Sequence, residues 1–476
     1  MQWDIVIGLE VHVQLLTQSK IFSASPNQFG AEPNEHASLI DLGFPGTLPV
    51  LNRAAVEQAI KFGVAVGAKI HPLSVFERKN YFYPDLPKGY QTSQFEAPIV
   101  IGGEINAPLD SNADNTVQLT RAHLEEDAGK STHRSNDSGI DLNRAGTPLL
   151  EIVTEPCIHS VEEALSYLRN LHQLVQYLEI CDGNMQEGSF RCDINLSLKP
   201  KGSDKLGTRT EIKNMNSFRF IEKAMIYEID RHMDVLESGG EIIQETRLFN
   251  DKTEQTQSMR SKEEANDYRY FPCPDLLPVA IEPSLIDEIR ANLPELPLAK
   301  FHRYQQQYQL SADDAKRLTS DKNIAAFYEA TLASTEASAK TIANWLLVEL
   351  IGYLNKQEIA IQHSPISSDG FAELLTAIHN DTISGKTGKY VLKKMCDEQA
   401  TAKDIIDKEN LAQVADSGEL EAIIQSIIEA NPKQVEQFQS GKDKVFGFFV
   451  GQVMKQTQGQ ANPKLVNSLL QTALKK

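Results

Sequence analysis

The stretch GLEVHVQL, residues 8–15, decides how the N-terminal part of the chain is read. Ile5, Ile7, Leu9, Val11, Val13 and Leu15 alternate with Gly8, Glu10, His12 and Gln14. A period of two is that of a β-strand with one dry and one wet face. The wet face therefore carries a carboxylate and an imidazole two residues apart.

Three later stretches repeat the pattern. In VQLTRAHLEEDAGK, Arg121, His123 and Glu125 share a face; in FRCDINLSL, Arg191, Asp193, Asn195 and Ser197 do; in TRTEIKN, Arg209, Glu211 and Lys213 do. Side by side, such strands gather Glu10, His12, Glu125, Asp193 and Glu211 on one open face with Arg and Lys between them. Mg²⁺ takes hard oxygen ligands, and clustered carboxylates without a cation repel and raise their own pKa values. Each acid alone reads as solvent decoration, because exposed Asp and Glu are the norm. The two alternatives at this point are a polyanion or metal site and a plain solvated face.

The surroundings supply the rest of a two-layer domain. IHSVEEALSYLRNLHQLVQYL stripes Val161, Leu165, Leu168, Leu171, Leu174 and Leu178, with a capping-box spacing from Ser160 to Glu163. FRFIEKAMIYEIDRHMDVLESGG stripes Phe218, Ile221, Met225, Ile229, Met233 and Leu236 and stops at Gly239-Gly240. Both helices are expected on the dry face of the sheet. Residues 110–116 and 131–140 read as polar loops, and NLPELPLAK as a linker. Beyond it the pattern is helical to the end, with a second boundary near 400–415. ERKNYFYPDLPKGYQTSQ, 77–94, reads as a rigid aromatic turn whose lysines face an anion or simply pack. RAGTPLLEIVTEP, 144–156, reads as a turn and a buried structural strand, and SMRSKEEANDYRYFP, 258–272, as a solvated helix end.

Composition narrows the class. With 476 residues the chain is too long for one core. Hydrophobic content of 41% and charged content of 24% are those of a globular protein. There is no run of about 18 apolar residues, so no membrane association is expected, and the N-terminus lacks the basic region of a signal peptide. Five scattered cysteines without a CxxC pair fit a reduced, cytoplasmic protein. A net charge of −18 argues against a generally basic nucleic-acid binder, but Lys442, Lys444, Lys455, Lys464, Lys475 and Lys476 face one acid, Asp443, in the last 36 residues. SGKTGK, 384–389, ends like a P-loop, yet Asn380 stands where its first glycine belongs and no apolar strand precedes it. No Gly-x-Ser-x-Gly elbow and no cysteine in a catalytic context is present.

The motifs GLEVHVQL, YFYPDLPKGYQ, HLEEDAGK, NRAGTPLLEIVTEP, FRCDINLSL, TRTEIKNMNSFRFIEKA and SMRSKEEANDYRYFPCPDL resemble, in order, the B subunit of the aspartyl/glutamyl-tRNA amidotransferases. The likeness continues in ANWLLVEL (343–350) and through 441–470, and departs from the family pattern at Cys273, where an acid is common, and at Phe249, where Trp is. It implies an α+β fold: a glutamine-synthetase-like antiparallel-sheet cradle (1–292, kinase and transamidase), an all-helical domain (293–407) and a small helical tail contacting tRNA (408–476). It implies a ligase that uses ATP and Mg²⁺ to phosphorylate the side-chain carboxylate of Glu-tRNA(Gln) or Asp-tRNA(Asn). Ammonia then arrives from an amidase (A) subunit, in a heterotrimer completed by a small C subunit. By the same resemblance Glu10, His12, Glu125, Asp193 and Glu211 are the catalytic and metal residues. Arg191, Arg209 and Lys213 meet phosphate, and Lys79, Lys88 and Glu125 line the ammonia path. The rival functions are a stand-alone carboxylate–amine ligase and a catalytically silent tRNA-binding scaffold.

Overall fold

A computed structural model describes residues 3–134, 136–261, 268–413, 417–457 and 461–474. The chain divides into two compact units, Met1–Pro297 and Leu298–Lys476.

The first unit is built on a ten-stranded sheet. Its central strand, Trp3–Gln14, contains the opening motif and has Phe190–Pro200 on one side and Pro148–Thr154 on the other. Beyond Phe190–Pro200 come Thr210–Lys213, Glu245–Asn250 and Gln255–Ser261; beyond Pro148–Thr154 come Thr116–Glu126, Val100–Ile101 and Lys69–Ile70. All neighbours are antiparallel except Thr210–Lys213 with Glu245–Asn250. Sequential alternation becomes two chemically distinct faces. Val11, Val13, Ala122, Leu124, Leu150, Ile152, Ile194, Leu196 and Ile212 form the dry face and belong to one apolar core. Each large aliphatic side chain fully buried there contributes about 1.5–3 kcal/mol. A one-residue slip would drive Glu10 and His12 into that core, so burial sets the register.

The helices Val161–Tyr177 and Phe218–Glu237 complete the core through Leu168, Leu171, Ile221, Met225 and Ile229. Ser160 caps the first by accepting from the Glu163 backbone N–H at 3.1 Å. The Glu163 carboxylate returns to the backbone N–H of His159 rather than to that of Ser160, a box shifted by one residue. Glu228 and His232, polar and fully buried, share the apolar stripe of the second helix.

Two expectations need correction. Residues 131–140 are not an open loop: Lys130–His133 and Ser138–Asp141 pair as an antiparallel hairpin. The segment 258–272 is not a helix end in its described residues. Its start continues the strand Gln255–Ser261, and Phe271–Pro272 pairs with Glu77–Asn80, which in turn pairs with Tyr90–Ser93; its centre, 262–267, lies outside the described residues. Cross-strand pairing with partners about 190 residues away overrides the local charge pattern.

The second unit is helical. Leu346, Phe371, Leu374, Leu392 and Ile405 lie in one apolar cluster, and Leu420, Ile424, Phe449, Val453 and Leu470 in another. The P-loop look-alike is a helix start: the Ser384 side chain accepts from the Thr387 N–H at 3.1 Å and caps Gly385–Glu398. Lys475 and Lys476 of the basic tail lie outside the described residues. The five cysteines are free, and no helix among the described residues is long and apolar enough to cross a membrane.

Candidate active site

Strand register writes the site. Glu10 stands opposite Asp193 on one side and Val153 on the other. One step along, His12 stands opposite Arg191 and Glu151, and Glu151 opposite His123. Directly opposed residues of an antiparallel pair project to the same face, so these rungs place acids and imidazoles from four strands side by side. A cavity of about 630 Å³ opens over them. Five carboxylates (Glu10, Glu125, Glu151, Asp193, Glu211) and four cations (Lys79, Arg121, Arg209, Lys213) line it.

The acids fall into two groups whose ligand atoms all lie within 4.8 Å of one another: His12, Glu125 and Glu151; and Glu10, Asp193 and Glu211. In the first, His12 Nε2 lies 3.4 Å from Glu125 and 3.2 Å from Glu151, and His123 Nε2 lies 3.3 Å from Glu151. In the second, Lys213 Nζ contacts Asp193 at 2.5 Å and Glu211 at 3.5 Å. The Asn195 amide donates to Glu10 at 2.7 Å, and the Thr246 hydroxyl to Glu211 at 2.8 Å. Both groups are therefore held by side chains from neighbouring strands.

Electrostatics follow from crowding in a partly dry space. Burial disfavours a charged His12, but Glu151 and Glu125 outweigh it and push the imidazole up to about 10. Burial opposes ionisation of Glu151, yet His123 and His12 hold it well below the carboxylate range. Burial likewise works against charge on Lys79 and Lys213. The fields of Tyr270, Glu125 and Glu151 at the first, and of Asp193 and Glu211 at the second, keep both above the usual lysine range. The donor sets fit divalent cations. Three carboxylates converging on one point suit Mg²⁺; in the other group two carboxylates suit Mg²⁺ or Mn²⁺, and His12 could join them only after an arriving cation displaces its ring proton.

Comparison with known proteins agrees along the chain. A family model described as the GatB/GatE catalytic domain matches residues 5–287, and one described as the GatB domain matches residues 326–474. The aspartyl/glutamyl-tRNA(Asn/Gln) amidotransferase B subunit of Thioalkalivibrio sulfidiphilus is 56% identical over the whole length of both chains. The B subunits of the same name from Alkalilimnicola ehrlichii and Ectopseudomonas mendocina are 54% and 55% identical over the same full extent. The chain belongs to the amidotransferase B-subunit family.

In this member of the B-subunit family, Glu10, His12, Glu125, Asp193 and Glu211 all border the one cavity, divided between the two groups. Lys213 and the exposed Arg209 border it too, as does Lys79, whose ammonium sits 4.9 Å from the centre of the Tyr268 ring. Arg191 stands apart from the lining and pairs with Asp127 at 3.0 Å. Lys88 pairs with Glu126, whose carboxylate also accepts from the Thr92 N–H at 2.8 Å. Glu151 completes the first group but sits in the apolar run PLLEIVT, where a single acid gives no alternation to read. Its signal was parity: it shares a face with Val153, directly opposite Glu10. Tyr268 and Tyr270 also line the cavity, unannounced by the charged segment that contains them.

Proposed function

We propose that the chain is the kinase and transamidase subunit of a tRNA-dependent amidotransferase of the cytoplasm. It activates the side-chain carboxylate of Glu-tRNA(Gln) or Asp-tRNA(Asn) with ATP and passes it to ammonia. The observation that carries this is the pair of three-ligand acid groups in one cavity with cations set among them. A site that moves a phosphoryl group needs that combination, because charge spreads over the transferred oxygens as the bond to the leaving group loosens.

Free carboxylate accepts ammonia poorly, because its oxygen is a bad leaving group. In the first step a carboxylate oxygen bonds to the γ-phosphorus of ATP and the bond to the β-phosphate oxygen breaks, giving ADP and an acyl phosphate. In the second, ammonia adds to the acyl carbon, the nitrogen sheds a proton and inorganic phosphate leaves. Glu10, Asp193 and Glu211 would hold one Mg²⁺, and His12, Glu125 and Glu151 a second. Bound there, the metal supplies neutralising charge for phosphate oxygens. Arg209 and Lys213 add cationic contacts from the cavity wall, and Arg191 contributes by holding Asp127, the residue that follows the strand carrying Glu125. Lys79 and Glu125 border the arrival side for ammonia; Lys88 reaches it through Glu126, the chain neighbour of Glu125.

The antiparallel sheet with an open polar face is read as a cradle of glutamine-synthetase type spanning 1–292. Residues 293–407 are the helical domain, and 408–476 the tail whose lysines meet the tRNA backbone. The partners are the amidase (A) subunit that releases ammonia from glutamine and a small C subunit.

The test is ATP cleavage by the assembled complex with and without mischarged tRNA. Stimulation by Glu-tRNA(Gln) or Asp-tRNA(Asn) is expected, and comparing the two assigns the substrate. Absence of stimulation by either overturns the proposal. Amidation of free glutamate without tRNA indicates a stand-alone ligase, and full activity of Glu211→Ala indicates a silent scaffold.

A further inference from the structure

Two of the four cations that line the cavity are engaged by described residues. Lys213 is engaged by Asp193 and Glu211, and Lys79 lies over Tyr268 in the field of Glu125 and Glu151. Arg209 is exposed. Arg121 lines the cavity and is half-buried, yet no carboxylate among the described residues lies within 4.0 Å of its guanidinium. Its Nε is buried and has no hydrogen-bond acceptor among the described residues. A buried donor left unmet is destabilising, so Arg121 is short of an acceptor that the described residues do not supply.

Three features say what that acceptor is. First, the plane of the guanidinium is supported: its carbon lies 5.7 Å from the centre of the Phe95 ring, and Phe95 is stacked on Tyr270 at 4.6 Å and 15°. A guanidinium braced on an aromatic ring presents a fixed fork, which matches two oxygens of one anion better than a lone one. Second, Arg121 stands opposite Val153, and Val153 opposite Glu10. It therefore shares a rung with Glu10 and Asp193, about 10 Å from Glu10 at the usual strand spacing. Third, the residue between them is apolar. Val153 offers no polar group to bridge to the fork, and the span accommodates one small anionic group.

On the function proposed above, we infer that Arg121 is the residue that grips the reacting side-chain carboxylate of the aminoacyl ester, bidentately, and keeps hold of it as it becomes the acyl phosphate. Gripping two oxygens fixes the carboxylate against rotation and presents it to the γ-phosphorus, an orientation effect that acts on turnover as well as on binding. The carboxylate and a phosphoryl group of ATP share this chemistry, and the kinetics of variants separate them.

The experiment uses the assembled complex and measures kcat and KM for mischarged tRNA, KM for ATP, and affinity for uncharged tRNA, in Arg121→Gln and Arg121→Lys. Arg121→Gln is expected to lose about 100-fold in kcat/KM for mischarged tRNA. Arg121→Lys, which keeps the charge and stem but not the fork, is expected to lose about 10-fold. KM for ATP and affinity for uncharged tRNA should stay within about twofold in both. A loss expressed in KM for ATP means that Arg121 grips the nucleotide and overturns the assignment. So does an Arg121→Lys enzyme with wild-type kcat/KM, because charge without a fork would then suffice. Thermal unfolding of both variants separates misfolding from lost contact; if Arg121→Gln does not fold, Arg121→Lys decides. Wild-type turnover reports on the function itself, and the variant-to-wild-type ratio on Arg121, so the two fail separately.

Discussion

On the cavity side of strands Thr210–Lys213 and Glu245–Asn250, Glu211 accepts from Thr246 and looks across to Glu10 and Asp193. One residue along each strand, Thr210 and Arg247 turn to the other side and meet Glu228, from the helix Phe218–Glu237. There the Glu228 carboxylate is fully buried and saturated. Arg231 donates at 2.8 Å, Arg247 at 2.9 Å and Thr210 at 3.2 Å, with His232 3.5 Å away and Thr256 also bonded. Burial works against its charge, but the bonds from His232, Arg231 and Thr256 outweigh it and hold the carboxyl well below the ordinary range. The same residue types thus make two different things on two faces of one sheet. Beneath it, one acid is matched by two arginines and sealed, which fastens a helix to three strands. Above it, acids from four strands converge in two groups around an open space. A sealed pairing is structure, and an open convergence of acids is a place for a cation.

The largest effect that sharpens this contrast comes from the open side. Glu10→Gln keeps an oxygen for the Asn195 amide but removes one charge from the Glu10–Asp193–Glu211 group proposed to hold metal. Stimulated ATP cleavage is expected to fall on the order of 1000-fold. The unfolding midpoint without metal should hold or rise, because like-charge repulsion is relieved. A loss of activity that merely tracks a loss of stability would break the contrast.

Glu228→Ala tests the sealed side. It leaves Arg231 without its carboxylate and Arg247 with Glu245 alone, and about 3 kcal/mol of stability should be lost in denaturant titration. The pH dependence has a definite sign. The folded pKa of Glu228 is depressed, so its contribution is complete above the unfolded glutamate value of about 4.3 and declines as pH falls below it. The stability gap between wild type and Glu228→Ala should therefore narrow on acidification below about pH 4. A gap independent of pH would mean that the carboxylate charge is not what holds the helix down.

The smallest effect lies where the two regimes meet. Lys213, about a third exposed, is the local counter-charge to Asp193 and Glu211. Lys213→Met should lower metal-free stability by about 0.5 kcal/mol. Added Mg²⁺ should then raise the unfolding midpoint more in this variant than in wild type, since the ion supplies the missing charge. An equal rise in both would show that Lys213 does not compensate those acids.

Much of the open side was legible before the fold was known. Alternation put Glu10 with His12, and His123 with Glu125, because β geometry sends every second side chain to the same face. The helices Val161–Tyr177 and Phe218–Glu237 announced themselves by their stripes, the first also by the Ser160–Glu163 spacing and the second by its stop at Gly239-Gly240. Glu151 did not, because it is the one charged residue of the apolar run PLLEIVT, which gives no alternation to read. Glu228 and His232 did not either, since a polar residue inside a helical stripe is meaningful only once its partners on other elements are known. Arg191 and Lys88 show the converse. Each has the residue type for an anion contact, and tertiary pairing gives them to Asp127 and Glu126.

The sequence by itself determined which faces are wet, where the two long helices of the first unit begin, and to which family the chain is similar, because these depend on local periodicity, caps and contiguous motifs. Only the tertiary structure decided that His12 works with Glu125 and Glu151 while Glu10, two residues away, works with Asp193 and Glu211. That division follows from strand order and register between segments up to about 200 residues apart. They are set by which apolar side chains bury together on the far face of the sheet, and no local pattern encodes that.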